Sequence, residues 1–484
     1  MGGGATYRLV INNGNGIGSS QSSYFIGNPE ISYFKFAYKR HTNFTMETLK
    51  LTFKNSPFLS NTYNKFRCPI DNTGGNFLTD LYLRYKIPDI YSNDTHKFRW
   101  IPNFGSLLVK KADFYINSFL IDSISGEWLV ISNELTNLVK DNFNNMTGNV
   151  SSLFNPKMDI PVITINNNRY ANAYPIGNKS NGTVSIKGRE IIVPLNFSFT
   201  KNPSLGIILS KIPNQGGIIN EIYVEIEFES IENLYQVYSS DLNLFVSPIY
   251  YNELYPNDKI NIDTFVINKE INAYIEANYA FIDMDELQSI ATYTTQIVIE
   301  TIQINEGNTV LIPGIDLANT INLNKCNNMI KEIIWTTKRN DFYKYNNQLN
   351  YTNSIPENND KPIMSKALFR LQDSGTIIVD ENDTNFYNLI QPYKHHTSIP
   401  RQGIYCYSFA LFPEKYQPSG VLDGSRINTQ LILYTNNQDN SSINEKLTKL
   451  GRSAYTYNYV LSYYIRSFNI LEYTSGTVAY KFAV

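Results

Sequence analysis

Alternation of apolar and polar residues, repeated along most of the chain, is the feature that most limits the fold. In LTDLYLRYKI, Leu81, Leu83, Tyr85 and Ile87 alternate with Asp80, Arg84 and Lys86. In NEIYVEIEFESI, Ile222, Val224, Ile226 and Phe228 alternate with Glu221, Glu225, Glu227 and Glu229. In EISYFKFAYK, Phe34, Phe36 and Tyr38 share one parity, and Lys35 and Lys39 the other. A period of two is the mark of a strand with one buried and one solvated face, as in antiparallel sheets. Burying four such side chains contributes roughly 6–12 kcal/mol before entropy is subtracted. A one-residue slip would expose the whole row, so the pattern also specifies register.

KADFYINSFLI, TQIVIETIQI, EIIWTT (332–337), GTIIVD (375–380) and TQLILYT (429–435) read as further strands of this kind. Gly-, Pro- and Asn-rich turns separate them: NTGGN, NPSLG, IPNQGG and QPSG. Longer connections occupy about 142–188, 340–365 and 436–451. Helical spacing appears at 126–143, where Trp128, Ile131, Leu135 and Leu138 recur at three or four, and at 283–293. Many short strands joined by long loops predict an all-β sandwich or barrel class. The strands fall into two sets, one ending near Ile231 and one beginning near Leu254. This predicts an arm over 1–25, a first β domain over 26–235, a linker over 236–253 and a second β domain over 254–484.

Composition removes several function classes. The chain has 484 residues with a net charge of −2, so there is no global basic surface for nucleic acid. Charged residues are 17% and aromatics 14%, which argues for a packed core over disorder. Cys68, Cys326 and Cys406 are dispersed and outline neither a disulfide framework nor a zinc pattern. The N-terminal stretch lacks an apolar signal-peptide core, and no apolar run is long enough to span a membrane. MGGGAT loosely fits a myristoylation pattern at Gly2, although a small-residue arm is the plainer reading.

Catalytic and metal signals are sparse. Of four histidines, His395 and His396 are adjacent; if extended, their rings face opposite ways and cannot chelate together, which makes them a polar loop pair. NNGNGIG has the G-x-G element but no strand–turn–helix context for a phosphate cradle. Asp283, Asp285 and Glu286 suit a helix N-terminus, where carboxylates favour the dipole. The sequons at Asn43, Asn93, Asn145, Asn149, Asn178, Asn181, Asn196, Asn382 and Asn440 are expected by chance in an Asn- and Thr-rich chain. No catalytic residue, cofactor or metal ligand is predicted. In Lys39-Arg40-His41, Arg40 falls on the parity of the aromatic row and needs a carboxylate or carbonyl partner if it is buried.

GNPEISYFKFAYKRHTNF, beginning at Gly27, resembles the opening segment of the major capsid proteins of nucleocytoplasmic large DNA viruses. Further matches follow in order: IDSISGEWLVISNELT, EANYAFIDMDE, MIKEIIWTTKR and YSFALFPEKYQPSGVLDGSRIN. They run along nearly the whole chain. The chain departs from the family pattern at Met329, where proline is usual, at Asn428, where aspartate is usual, and at Asp285-Glu286-Leu287. The departures suggest a divergent lineage or a paralogue.

The resemblance implies a double jelly roll: two eight-stranded antiparallel β-sandwiches side by side, with long loops and a few short helices. It implies a structural subunit of an icosahedral capsid, not an enzyme, working as a homotrimeric pseudo-hexagonal capsomer in the outer shell of the virion. The expected partners are further copies of the chain, neighbouring capsomers, minor capsid proteins and the inner viral membrane, with a host receptor at the outer loops and no specific nucleic acid. A minor capsid paralogue and a carbohydrate- or receptor-binding attachment protein are the alternatives. Arg40, His41, Trp128, Trp335 and Arg426 are the expected assembly or structural residues, and the 27–44 segment is expected to be the first core strand.

Overall fold

The computed structural model describes residues 28–36, 38–71, 74–157, 164–165, 168–169, 174–212, 221–292, 295–323, 328–439, 441–474 and 477–482. Residues up to Asn43 make one compact unit and Phe44–Val484 another. The expected arm over 1–25, Gly2 and Cys326 lie outside the described residues.

The first unit corrects one expectation. Its described residues contain turns and irregular backbone but no strand. Phe34, Phe36 and Tyr38 are 101%, 89% and 73% exposed, so the aromatic row is not a core face. Alternation says which side chains share a face. A buried strand also needs a ladder to take up its N–H and C=O groups, and this segment has none.

Among the described residues of the second unit, every strand pair is antiparallel. One sheet orders Phe44–Thr52, Tyr274–Ile282, Phe77–Lys86 and Ile207–Ile208, with Glu190–Pro194 also on Phe77–Lys86. Its register runs from Phe44 opposite Ile282 to Thr52 opposite Tyr274. The facing sheet orders Asn64–Ile70, Ile222–Phe228, Val109–Ile116 and Phe119–Ser125. Leu81, Leu83, Tyr85 and Ile87, and Ile222, Val224, Ile226 and Phe228, are all buried, as their alternation predicts. The exposed Glu221 and part-exposed Glu225 and Glu227 meet Lys54, Lys65, Arg67 and Lys110 across strands, in surface pairs worth little each.

The second sandwich pairs a six-stranded sheet, built on Thr295–Leu311, Tyr459–Thr474, Met329–Arg339 and Ile404–Ser408, with a four-stranded one. The latter orders Ala318–Asn322, Thr429–Thr435, Met364–Leu371 and Ile377–Asp383. Between the two sheets lies a core of Trp335, Phe369, Tyr387, Tyr405, Leu431 and Leu433. Ile299, Ile334, Cys406 and Tyr464, on the opposite face of the larger sheet, belong to the core shared with the first sandwich. That sheet is therefore covered on both sides, and all of Met329–Arg339 after its first residue is buried.

Two boundaries differ from expectation. Tyr274–Ile282 pairs with Phe44–Thr52 and Phe77–Lys86, so the division between strand sets falls after Ile282, not before Leu254. The expected linker over 236–253 is structured: Tyr235–Ser239 and Leu244–Val246 form a three-stranded sheet with Phe98–Trp100, and Pro248–Leu254 is a helix. Its Tyr and Val side chains find cover, so the chain packs there.

The helix expected over 126–143 is two helices, Gly126–Thr136 and Lys140–Thr147. Asn137 is extended between them and Leu138 is 73% exposed, so the apolar stripe ends at Leu135. Met284–Thr292 is helical with Asp285 and Glu286 in its first turn.

Candidate functional site

The two sandwiches meet in a polar and aromatic junction built from the GEW segment. Ser125 caps the helix Gly126–Thr136, its Oγ accepting from Trp128 N at 3.1 Å. Gly126 is demanded by close approach: a Cβ there would lie 2.1 Å from Ser106 O and 2.5 Å from Val109 O. This tight start presents Glu127 and Trp128 to the second sandwich. Trp128 packs on Tyr464, ring centroids 5.1 Å apart.

Glu127 is buried and gathers donors from two separate stretches of the second half. Lys338 Nζ lies 2.6 Å from its Oε2. Tyr351 Oη donates to Oε1 at 3.0 Å, and Thr336 Oγ1 lies 3.5 Å away. Glu306 sits beside this cluster, accepting from Ser125 Oγ and, at 2.8 Å, from Tyr464 Oη. Burial and the neighbouring Glu127 charge push its carboxyl up from 4.5 to about 7. More contacts tie the halves together. Arg401 forks onto Glu134 at 2.6 and 2.9 Å, Gln236 Nε2 donates to Tyr345 O at 2.5 Å, and Asn346 Nδ2 to Tyr235 O at 2.7 Å.

A second charged cluster lies in the larger sheet of the second sandwich. Arg466 on Tyr459–Thr474 holds Glu300 at 2.5 and 3.1 Å and Glu332 at 2.7 Å, and donates to Pro413 O. Lys331 Nζ is 2.5 Å and Lys201 Nζ 2.9 Å from Glu300. Lys201 comes from the first sandwich, so this cluster also crosses the junction. Burial alone would raise the Glu300 carboxyl, but the cations Arg466, Lys201 and Lys331 outweigh it and hold it well below the usual range. Burial likewise opposes ionisation of Glu332, yet His396 and Arg466 hold it at about 2.

His396 completes this cluster and corrects the reading of a polar loop pair. Its ring is fully buried, with Nε2 on Glu332 and Nδ1 3.0 Å from Glu414. His395 turns elsewhere, its Nδ1 3.1 Å from Leu411 O. The adjacent rings do diverge, although His395 ends the helix Gln391–His395 and only His396 is extended, and the His396 ring enters the core.

The other expected residues fall in different places. Trp335 is wholly buried among Phe369, Tyr387 and Tyr405 inside the second sandwich. The Arg426 side chain is 84% exposed with Asp423 at 3.3 Å. Arg40 and His41 belong to the first unit and are exposed. His41 Nδ1 approaches Thr42 O at 2.7 Å. Arg40 therefore stands in solvent, where it needs no buried counter-charge. Of the five, only Trp128 lies at the junction.

Glu300, Glu306, Glu332, Lys331, Lys338 and Arg466 were not singled out from sequence. A signal was present for several. IVIETIQI, MIKEIIW and YYIRSFNI each set charged residues inside an apolar run of strand length, and a charge buried there must be paired.

Glu306 makes stability pH-dependent in a defined window. The folded state keeps its proton above the unfolded value of 4.5, so this group's contribution is full below 4.5. It falls as pH rises to about 7. Glu306→Gln should match the parent near pH 5 and exceed it at pH 8 by roughly 2–3 kcal/mol in urea unfolding. Equal stability at both pH values would show that Glu306 ionises freely.

Known proteins share this architecture. Residues 32–283 match the family model described as major capsid protein N-terminus, and residues 286–479 the model for large eukaryotic DNA virus major capsid protein. The gap between the models coincides with the strand division after Ile282. The probable capsid protein 4 of Acanthamoeba polyphaga mimivirus is 24% identical, over 84% of this chain and 89% of the relative. The major capsid protein of Phaeocystis pouchetii virus is 25% identical, over 94% and 96%. Among solved structures, PBCV-1 VP54 aligns with a TM-score of 0.66 at 19% identity, covering 94% of this chain and all of that one. The Faustovirus major capsid protein aligns at 0.65 with 11% identity, covering 97% of each chain. With two sandwiches laid side by side, the divide after Ile282 and both halves matched by family models, the chain belongs to the double jelly-roll major capsid proteins of large eukaryotic DNA viruses.

Proposed function

We propose that this capsid protein works as a homotrimer, a pseudo-hexagonal capsomer of the outer shell of an icosahedral virion. The observation that carries this is the pair of sandwiches held side by side by buried charge. Three two-lobed subunits around a three-fold axis present six lobes, and such a ring of repeated contacts closes on itself. Exposed apolar side chains on the second sandwich supply contact surface: Tyr393 at 81%, Leu411 at 62% and Phe412 at 53%. Obligate interfaces are large and rich in aromatic residues. Neighbouring capsomers and minor capsid proteins are the partners of the assembled trimer, with the inner viral membrane beneath it and a host receptor at the outer loops.

The native mass of the purified chain tests the reading. A particle of three times the 55.5 kDa chain mass is expected by light scattering or mass photometry. A stable monomer at micromolar concentration would sink it. Copy number in purified particles separates the abundant shell subunit from a minor paralogue.

A further inference from the structure

We propose that Glu332, His396 and Cys406 form a zinc site on the face of the second sandwich's larger sheet that packs against the first sandwich. Glu332 Oε, His396 Nε2 or Nδ1 and Cys406 Sγ all lie within 4.8 Å of one another. Three different stretches of chain deliver them. Glu332 and Cys406 stand on adjacent antiparallel strands. Glu332 is opposite Ser408 and Ile334 opposite Cys406, which makes 332 and 406 diagonal neighbours on one face. His396 follows the helix Gln391–His395 in an extended conformation, its N–H donating to Pro392 O at 2.8 Å, and its ring enters the same space. The side chains of Glu332 and His396 are 0% exposed, and Cys406 is wholly buried and free of any disulfide.

The surrounding bonds are those of a metal-binding histidine. Such a histidine donates its second ring N–H to a carboxylate, which sets the tautomer and aims the other nitrogen at the metal. Here Glu414 Oε1 takes that place, 3.0 Å from His396 Nδ1, and is itself fixed by Thr397 N at 2.9 Å. Nε2 then points at Glu332. Glu332 is held through Oε2 by Arg466 Nη1 at 2.7 Å, and its Oε1 meets His396 Nε2, so the metal would take the place of the proton between them. One thiolate, one imidazole and one carboxylate suit zinc, which accepts all three in tetrahedral geometry.

Charge permits the exchange. Lys201, Lys331 and Arg466 balance Glu300, Glu332 and Glu414 around the site. A dication that displaces one proton from the imidazolium and one from the thiol leaves the net charge as it was. A cavity of about 310 Å³, lined by Trp128, Lys201, Glu414 and Arg466, reaches the two residues that hold His396 and Glu332. It can supply water for the fourth position.

The competing state is a bare imidazolium clamped between two carboxylates, and metal content separates the two. The full-length chain, expressed with zinc and desalted without chelator, should carry about one zinc per chain by elemental mass spectrometry. Refolding with Co²⁺ should give a near-ultraviolet thiolate-to-cobalt band. Cys406→Ala, which leaves the ion pairs of Glu332, His396, Glu414 and Arg466 in place, should keep the native oligomeric mass and far-ultraviolet spectrum while losing both zinc and the band. Should His396→Gln fail to fold, the alanine variant still decides. The proposal is overturned if the folded parent holds less than about a tenth of a zinc per chain and shows no thiolate band. It is equally overturned if Cys406→Ala binds as much metal as the parent.

Discussion

Replacing Glu127 by alanine is expected to destabilise the Phe44–Val484 unit by about 3–5 kcal/mol, because it strands the buried Lys338 ammonium without its carboxylate. The same change removes the acceptor of Tyr351, so a second buried group is left wanting. The cost falls on the seam between the sandwiches, and the urea transition should broaden or split as the halves unfold separately. Glu127→Ala combined with Lys338→Met should recover most of the loss, since the unpaired charge is then gone. Urea unfolding of the single and double variants checks this. A single variant within about 1 kcal/mol of the parent, or a double variant no better than the single, would mean that Glu127 is not the fastener.

Arg466→Leu is expected to be as damaging, at about 3–5 kcal/mol or more, and to abolish soluble folded protein at 37 °C. Arg466 is the hub of its cluster, bonding two buried carboxylates at once. Without it, Glu300 keeps Lys201 and Lys331, and Glu332 keeps His396. The acid limb of stability tests the same point. Glu332 is held at about 2 against 4.5, so its contribution is complete above 4.5 and is lost as pH falls through 2. Recovery of soluble, cooperatively folding Arg466→Leu protein near neutral pH would contradict the account.

Both clusters show why the fold was more legible than the site. The rows Leu81–Ile87 and Ile222–Phe228 carry their own instruction, since a strand with one wet face has only one register that hides its apolar side chains. The strand Met329–Arg339 carries no such instruction. It is covered on both sides, so its charged Lys331, Glu332, Lys338 and Arg339 are buried with its apolar residues. Key partners lie more than a hundred residues away along the chain: Lys338 meets Glu127, and Glu332 meets Arg466. GEW was recognisable as a motif. That its glutamate, and not only its tryptophan, fastens the two sandwiches followed from Lys338 and Tyr351 converging on it.

The aromatic row Phe34, Phe36 and Tyr38 marks the opposite limit. Its period of two matches that of the buried strands, yet the row is exposed, because periodicity states only which residues share a face. The sequence by itself determined the strand class, the register of half-exposed strands and, through its ordered motifs, the family. Only the tertiary structure decided which faces are covered, where the two sandwiches divide and how the buried charges pair. Alternation is a property of neighbours along the chain, whereas desolvation and ion pairing are properties of neighbours in space.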